Sequence, residues 1–351
     1  MPIESQSVQV RPLRDDCADS QAWDRFVLDC SEATFFHREG WRRVVQKSFA
    51  QQSHYLLAEV AGEIQGVLPL VRQKSRLFGD RLISTPFCVY GGVASNHESV
   101  CRALEAAAAS LAESLGVAYL ECRNRTRQSP TWPSKDLYYT FSKSISSDPQ
   151  ENLLAIPRKQ RAEVRKGIKK GLVGHIEPDL SGLCYDIYSE SVRNLGTPVF
   201  SRRYFSILKE VFGSDCDGLV IYQENKALAA VVNFYFRNEV LPYYGGGTAE
   251  ARRLGATHFM YWDLMRHATQ ERGAEVFDFG RSKLGSGSFD FKRYFGFEPN
   301  PLNYQYYLVR QNNLPDLSPN NPKYRLMINT WKRLPLSISR WLGPFVAKNL
   351  G

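Results

Sequence analysis

The densest chemistry in this 351-residue chain sits in Ile156–Leu172, IPRKQRAEVRKGIKKGL, which carries seven basic residues and one acid. At about 100° per residue on a helix, Arg158, Arg161, Arg165 and Lys169 share one stripe. Lys159, Lys166 and Lys170 form a second stripe beside it. Val164, Ile168 and Leu172 fall on the far side of the first stripe, an apolar face for docking. Pro157 suits the first helical turn and Gly171 its end. Arginine forks bind phosphate oxygens in pairs. A solvated helix face would mix acids with bases, and Glu163 is the lone acid from Arg158 to Lys170. The pattern points to a diphosphate, as in a UDP- or undecaprenyl-linked sugar. The segment has no aromatic residue on which single-stranded RNA would stack, and charge alone does not point to DNA.

Two further stretches carry candidates. In VFDFGRSKLGSGSFDFKRYFGF, Asp278 ends an apolar strand, where a carboxylate needs a partner; Arg281 and Lys283 are the nearest cations. In LPYYGGGTAEARRLGATHF, Gly245, Gly246 and Gly247 permit close backbone approach. A glycine-rich exit from a hairpin explains them equally well. Tyr243, Tyr244 and Tyr294 are candidate proton donors, although buried tyrosines more often pack. Arg252, Gly255 and Thr257 fit a CoA-binding turn of the form [QR]xxGx[GA] except at its last position. No Ser-His-Asp set is evident, which favours direct transfer without a covalent enzyme intermediate. The six histidines have no metal-ligand spacing. The seven cysteines lack a CxxC pair and read as reduced thiols of a cytoplasmic protein, with Cys88 and Cys122 in the core.

The elements that must hold these residues repeat. HYLLAEV, IQGVLPLVR and RLISTPFCVYGG read as strands, followed by the alanine-rich helix SVCRALEAAAASLAESLG and the strand VAYLECR. In the second half come two helices, then DGLVIYQ, ALAAVVNFYFR and EVLPYYGGG, the helix ATHFMYWDLMRHATQERG, the strand AEVFDFG and the last strand LNYQYYLV. VYGG at 89–92 answers YYGG at 243–246, and AESLGVAYLECR answers TQERGAEVFDFGR, a duplicated unit. Helices ahead of a three-strand meander, then strand, helix and strand, indicate α/β mixed sheets of the acyltransferase type, in which two central strands splay around an acyl donor. The expected division is a first domain at 1–150, a second at 151–312 and a basic tail at 313–351.

FFHREGWRRVV, the basic helix, LPYYGGGT, VFDFGRSK and FDFKRYFGF, in this order across residues 33–310, resemble the FemAB family. That family has two tandem GNAT-like domains and transfers amino acids from aminoacyl-tRNA to the peptide stem of peptidoglycan precursors. The nearest likeness is to its exosortase-associated (PEP-CTERM) and exopolysaccharide-associated branch. The resemblance implies a role for Lys292 near the reacting centre, where it would stabilise an oxyanion as an amine attacks an ester carbonyl. It implies that Arg42 and Arg43 add positive charge at the precursor site, and that a basic residue of the 158–165 helix holds its diphosphate. No heptad-patterned hairpin interrupts the second half, the arm that many Fem proteins carry.

The net charge of +9 is concentrated. Residues 158–170 and 323–351 each carry +6, leaving the body slightly acidic. The tail mixes Trp331, Leu334, Trp341, Phe345 and Val346 with bases alone, and fits either an anionic membrane surface or a helix packed on the body. No signal-peptide core and no apolar run of membrane-spanning length occur, so a cytoplasmic protein, peripheral to the inner membrane face through its tail, is expected. Three functions compete: a FemAB-type acyltransferase acting on an amine of a cell-wall or exopolysaccharide precursor, an acyl-CoA-dependent N-acyltransferase, and a non-catalytic binder of lipid-linked sugars.

Overall fold

A computed structural model describes residues 7–75, 79–125, 129–315 and 322–350. The chain divides into two compact units: Met1–Tyr138 with Pro301–Asp316 and Asn349–Gly351, and Tyr139–Asn300 with Leu317–Lys348.

The first unit runs through β1 (Gln9–Pro12), α1 (Cys17–Asp29), α2 (Gly40–Phe49), β2 (Gln52–Ser53), β3 (Leu56–Val60), β4 (Glu63–Leu68), β5 (Leu70–Ser75), β6 (Gly79–Ser84), α3 (Glu98–Leu115), β7 (Tyr119–Asn124) and β8 (Ser134–Lys135). The run expected as one strand at IQGVLPLVR is broken at Pro69, because proline cannot donate to a ladder. Its halves lie in two sheets, β1-β3-β4 and β2-β5-β6-β7-β17-β8, where β17 is Asn303–Leu308. β6 and β7 are parallel neighbours, with α3 as the crossover. Val100, Leu104, Ala108 and Ala112 bury one stripe of α3 on the sheet.

The second unit holds β9 (Tyr138–Ser144), α4 (Pro149–Ala155), α5 (Arg158–Lys169), β10 (Leu172–Glu177), α6 (Tyr185–Leu195), α7 (Arg202–Phe212), β11 (Cys216–Gln223), β12 (Lys226–Phe236), β13 (Glu239–Gly247), α8 (Ala249–Leu254), α9 (Ala256–Arg272), β14 (Val276–Asp278), β15 (Ser282–Lys283), α10 (Gly287–Tyr294) and β16 (Pro299–Pro301). The chain ends in α11 (Pro322–Arg333) and α12 (Leu336–Ala347). The sheet order is β10-β11-β12-β13-β14-β9-β15, with β16 on β9. β10 to β13 form an antiparallel meander, and β13 and β14 are parallel across α9. Both crossover helices end on a left-handed glycine, Gly116 at φ 59° and Gly273 at φ 64°, which no side chain with a Cβ adopts cheaply.

LNYQYYLV does not close the second half, where its place in the sequence put it. As β17 it pairs antiparallel with β7 of the first unit, while β9, which follows the first half in sequence, pairs antiparallel with β14 of the second. Each unit takes its strand from the other's stretch of chain. An antiparallel neighbour needs a matching ladder and a correct face, not sequence adjacency, and alternation along LNYQYYLV cannot say which sheet supplies them. Among the described residues, no helix is long and apolar enough to cross a membrane.

Candidate functional site

β13 continues to Gly247, yet its ladder with β14 consists of two pairs, Glu239↔Val276 and Val240↔Phe277. Its other edge is paired with β12 as far as Gly247, with a bulge at Tyr243 between the pairs Val232↔Tyr244 and Asn233↔Pro242. The two central strands therefore part after their first residues. At the end of β14, Phe279 N–H donates to Phe141 O of β9 at 2.7 Å, and Gly280 N–H to Asp278 Oδ1 at 2.9 Å.

Into this end comes Lys292. Ser286 caps α10 by accepting from Phe289 N–H, and the helix turns Phe289 and Lys292 inward. Lys292 is 9% exposed, and Nζ donates to Gly280 O and to Arg281 O, both at 3.0 Å. The rings of Phe279 and Phe141 lie 5.2 and 5.5 Å away. Burial brings the Lys292 amine down to about 7, against the attraction of Asp278 and with the help of Arg281. Asp278 is 3% exposed, so the carboxylate expected to need a cation has Lys292 as a buried electrostatic partner. Arg281 and Lys283 stand half-buried beside them. An ammonium group has three donors, and two are spent on carbonyls here. The third is the one able to serve a developing oxyanion.

The basic helix adjoins this site within the same unit. Gly296, just past α10, lies so close to the start of α5 that a Cβ would stand 2.9 Å from Pro157 Cδ. His258 of α9 ties the same three helices together: its ring is 2.8 Å from Gln160 Oε1 and packs 5.1 Å from the Phe291 ring. The face of α5 that docks is Val164 and Gly167, with Gly167 against Phe259. Ile168, expected on that face, is 43% exposed, because the close contact runs through a glycine instead. Arg161 is half-buried, its Nε donating to Ile156 O at 3.0 Å. Arg158, Lys159 and Arg165 project into solvent with no ion pair among the described residues. Lys166 pairs with Glu163 at 3.3 Å.

The other candidates are placed differently. Tyr244 is buried, its hydroxyl 2.7 Å from that of Tyr204 within a ring cluster of Tyr188, Phe200 and Phe205. Tyr243, half-buried on the bulge, packs edge-on to Tyr244 and against Phe234. The space over Gly245 holds the Tyr261 hydroxyl, and that over Gly246 holds Ser191 of α6. These glycines let helices approach the sheet. Tyr294 is 51% exposed. Gly255 and Ala256 are buried, and a Cβ on Gly255 would stand 2.5 Å from Glu163 O, so α5 covers the start of α9. In the first unit, Arg42 and Arg43 both donate to Glu39, at 2.9 and 3.0 Å, and Arg42 also reaches Asp15 at 3.1 Å. They line a cleft of about 680 Å³ together with Asp24 and Arg25. Their charge is therefore largely spent on local acids. Glu39, three and four residues before them, was the available signal.

The comparisons fit this geometry. A model of the GNAT acetyltransferase domain matches residues 158–293, from the first arginine of α5 to just past Lys292. Among solved structures, FemX superposes with a TM-score of 0.67 at 14% identity, covering 91% of this chain and 100% of that one. A tandem GNAT protein from the clavulanic acid biosynthesis pathway gives 0.54 at 13%, covering 88% and 100%. The protein has a tandem GNAT fold. A Bacteroides thetaiotaomicron protein of unknown function superposes with a TM-score of 0.52 at 12% identity, covering 86% of this chain and 100% of that one. No curated protein matches the sequence. In GNAT terms, β13 and β14 are the splayed pair of the second half, and Lys292 bonds the carbonyls just past the end of β14.

Proposed function

We propose that the second unit is an N-acyltransferase of FemAB type, transferring an aminoacyl or acyl group to an amine on a diphosphate-bearing cell-wall or exopolysaccharide precursor. The observation that carries the reading is Lys292, a buried amine held by two carbonyls just past the end of β14, the strand from which β13 parts. The acceptor amine attacks the donor's ester or thioester carbonyl, forming the C–N bond. The carbonyl electrons move to oxygen, where the third N–H of the Lys292 ammonium meets them. As the intermediate collapses, the C–O or C–S bond breaks and the leaving oxygen or sulfur takes up the proton lost by the amine. Arg158, Lys159 and Arg165, open to solvent along α5, supply forks and charge for the acceptor's diphosphate. Asp278 offsets part of the cost of burying the Lys292 ammonium.

Aminoacyl-tRNA and acyl-CoA are the two donor classes. The cover that α5 lays over Gly255 supports a donor held elsewhere than at that turn. The test supplies purified protein with a UDP-linked or lipid-linked aminosugar and each donor in turn. Product with either donor supports the reading and names the donor. No product in any pairing, with Lys292→Ala retaining function in cells, overturns it in favour of a binding protein.

A further inference from the structure

The last helix is packed the wrong way round for a helix that ends its work at the protein's own core. α12 buries Ser339, Gly343 and Ala347, small residues four apart. Gly343 lies so close that a Cβ would stand 2.6 Å from Val199 O, and Arg340 turns inward to Asp186 at 2.8 Å and Ser189 at 2.9 Å. Three of its large apolar side chains point outward, while Leu336, Leu342 and Val346 are half-buried. Ile338, Trp341 and Phe345, at i, i+3 and i+7, are 41%, 69% and 60% exposed, and the two rings stand 6.4 Å apart. Leu326 and Met327 of α11 are 71% and 44% exposed. Single exposed apolar residues are ordinary; three large ones on one face of a helix whose buried side is small residues make an exposed apolar patch.

The charge around this face says what covers it. Residues 317–351 contain no Asp or Glu, and they carry Lys323, Arg325, Lys332, Arg333, Arg340 and Lys348. Lys332 and Arg333 are exposed at the end of α11, next to the turn into α12. A second copy of this chain would bring the same excess of positive charge to the contact. An anionic lipid surface complements it.

We propose that the outward face of α11 and α12 docks on an anionic bilayer. Ile338, Trp341 and Phe345 enter the boundary between headgroups and acyl chains, and Lys332 and Arg333 meet lipid phosphates. The α12 helix lies in the plane of the surface, since it is too short and too polar on its buried side to span. The contact needs neither donor nor acceptor, so it stands or falls apart from the acyl-transfer reading.

Flotation of the full chain with vesicles tests it. Wild-type protein is expected to float with phosphatidylglycerol–phosphatidylcholine vesicles at 0.15 M salt, roughly one Debye length of 8 Å, and to be released as salt rises. It should remain behind with pure phosphatidylcholine. The triple variant Ile338→Ser, Trp341→Ser, Phe345→Ser alters exposed positions only and should lose at least tenfold in partitioning with an unchanged circular-dichroism spectrum. Lys332→Gln with Arg333→Gln should lose about fivefold per charge on the anionic vesicles, from a contribution of about 1 kcal/mol each. Wild-type protein that stays off anionic vesicles, or a triple variant that floats as well as wild type, overturns the proposal. A concentration-dependent dimer abolished by the triple variant, without flotation, assigns the face to a second copy instead.

Discussion

The two units carry the same strand–helix–strand step and finish it in opposite ways. Counted from the glycines that end the crossover helices, Glu121 corresponds to Asp278 and Arg123 to Gly280. Both carboxylates are buried, at 5% and 3% exposure. In the first unit, Arg123 O accepts from Gly92 N–H at 3.1 Å, Arg123 N–H donates to Ser84 Oγ at 2.8 Å, and the guanidinium bonds Glu121 at 2.8 Å and Cys88 O at 2.7 Å. The end of β7 is thereby stitched to the 84–92 segment. In the second, the carbonyl of Gly280 accepts from Lys292 Nζ, and the strand opposite has already parted. One half uses an arginine to close the step on itself; the other uses a lysine to hold its end and leaves an amine there. From the first ladder residue to the second glycine of the pair the first unit takes eleven steps along the chain, Arg81 to Gly92, and the second seven, Glu239 to Gly246. The additional four match the turn at 85–88, where Thr85 and Phe87 take positive φ of 39° and 71°. The lesson is that the same frame keeps its buried acid while the cation near it differs, a guanidinium that ties the strand end to a neighbouring segment in one half and a buried amine on two carbonyls in the other.

The sharpest way to break this contrast is to remove each cation. Arg123→Met leaves the buried Glu121 carboxylate without its guanidinium, and should cost about 3–5 kcal/mol of stability in urea denaturation. A loss under 1 kcal/mol would show that the first unit's step is not held by this pair. Lys292→Met should instead lower kcat by roughly 10²–10³-fold, about 3 kcal/mol of transition-state stabilisation, with the fold intact. Acid–base linkage gives it an independent readout. With its folded value lowered to about 7 from 10.5, Lys292 is protonated in the unfolded chain and neutral in the folded one between those limits. Its contribution to stability therefore rises with pH through that window. The wild-type urea midpoint should climb relative to Lys292→Met from pH 7 toward 10. In the proposed role the charged form serves the oxyanion, so activity should fall as pH rises through about 7; a rising limb there would make Lys292 a base instead.

Smaller effects separate the halves further. Gly116→Ala and Gly273→Ala force a left-handed residue and should each cost about 1 kcal/mol. Gly116 should cost the more, because a Cβ there meets the Arg310 guanidinium while Gly273 faces open space. Equal thermal shifts would remove that distinction. Smallest of all, Arg158→Ala and Arg165→Ala should each weaken binding of a UDP-linked precursor by up to about fivefold, the range of exposed charge contacts. Arg42→Ala should leave affinity unchanged, because Glu39 and Asp15 already hold its guanidinium. Calorimetric titration reads both, and a larger loss at Arg42 than at Arg158 would move the anion site to the first unit.

Much of this was written locally. The crossover helices and their terminal glycines, the basic α5 with its exposed Arg158, Lys159 and Arg165, and the buried Asp278 follow from periodicity, capping preference and burial of an acid at a strand end. What local pattern could not supply is partnership. The sequence offered Arg281 and Lys283 as neighbours of Asp278, and tertiary structure brought Lys292 from fourteen residues on, because α10 turns back over the end of β14. It offered Gly245 and Gly246 to a ligand, and tertiary structure gave their space to Tyr261 and Ser191. It offered LNYQYYLV to the nearest sheet, and the ladder with β7 was formed instead. Helix type, caps and charge are properties of a dozen consecutive residues. Which strand completes which sheet, and which amine meets which carbonyl, depend on contacts between distant segments, and no window of sequence contains both partners.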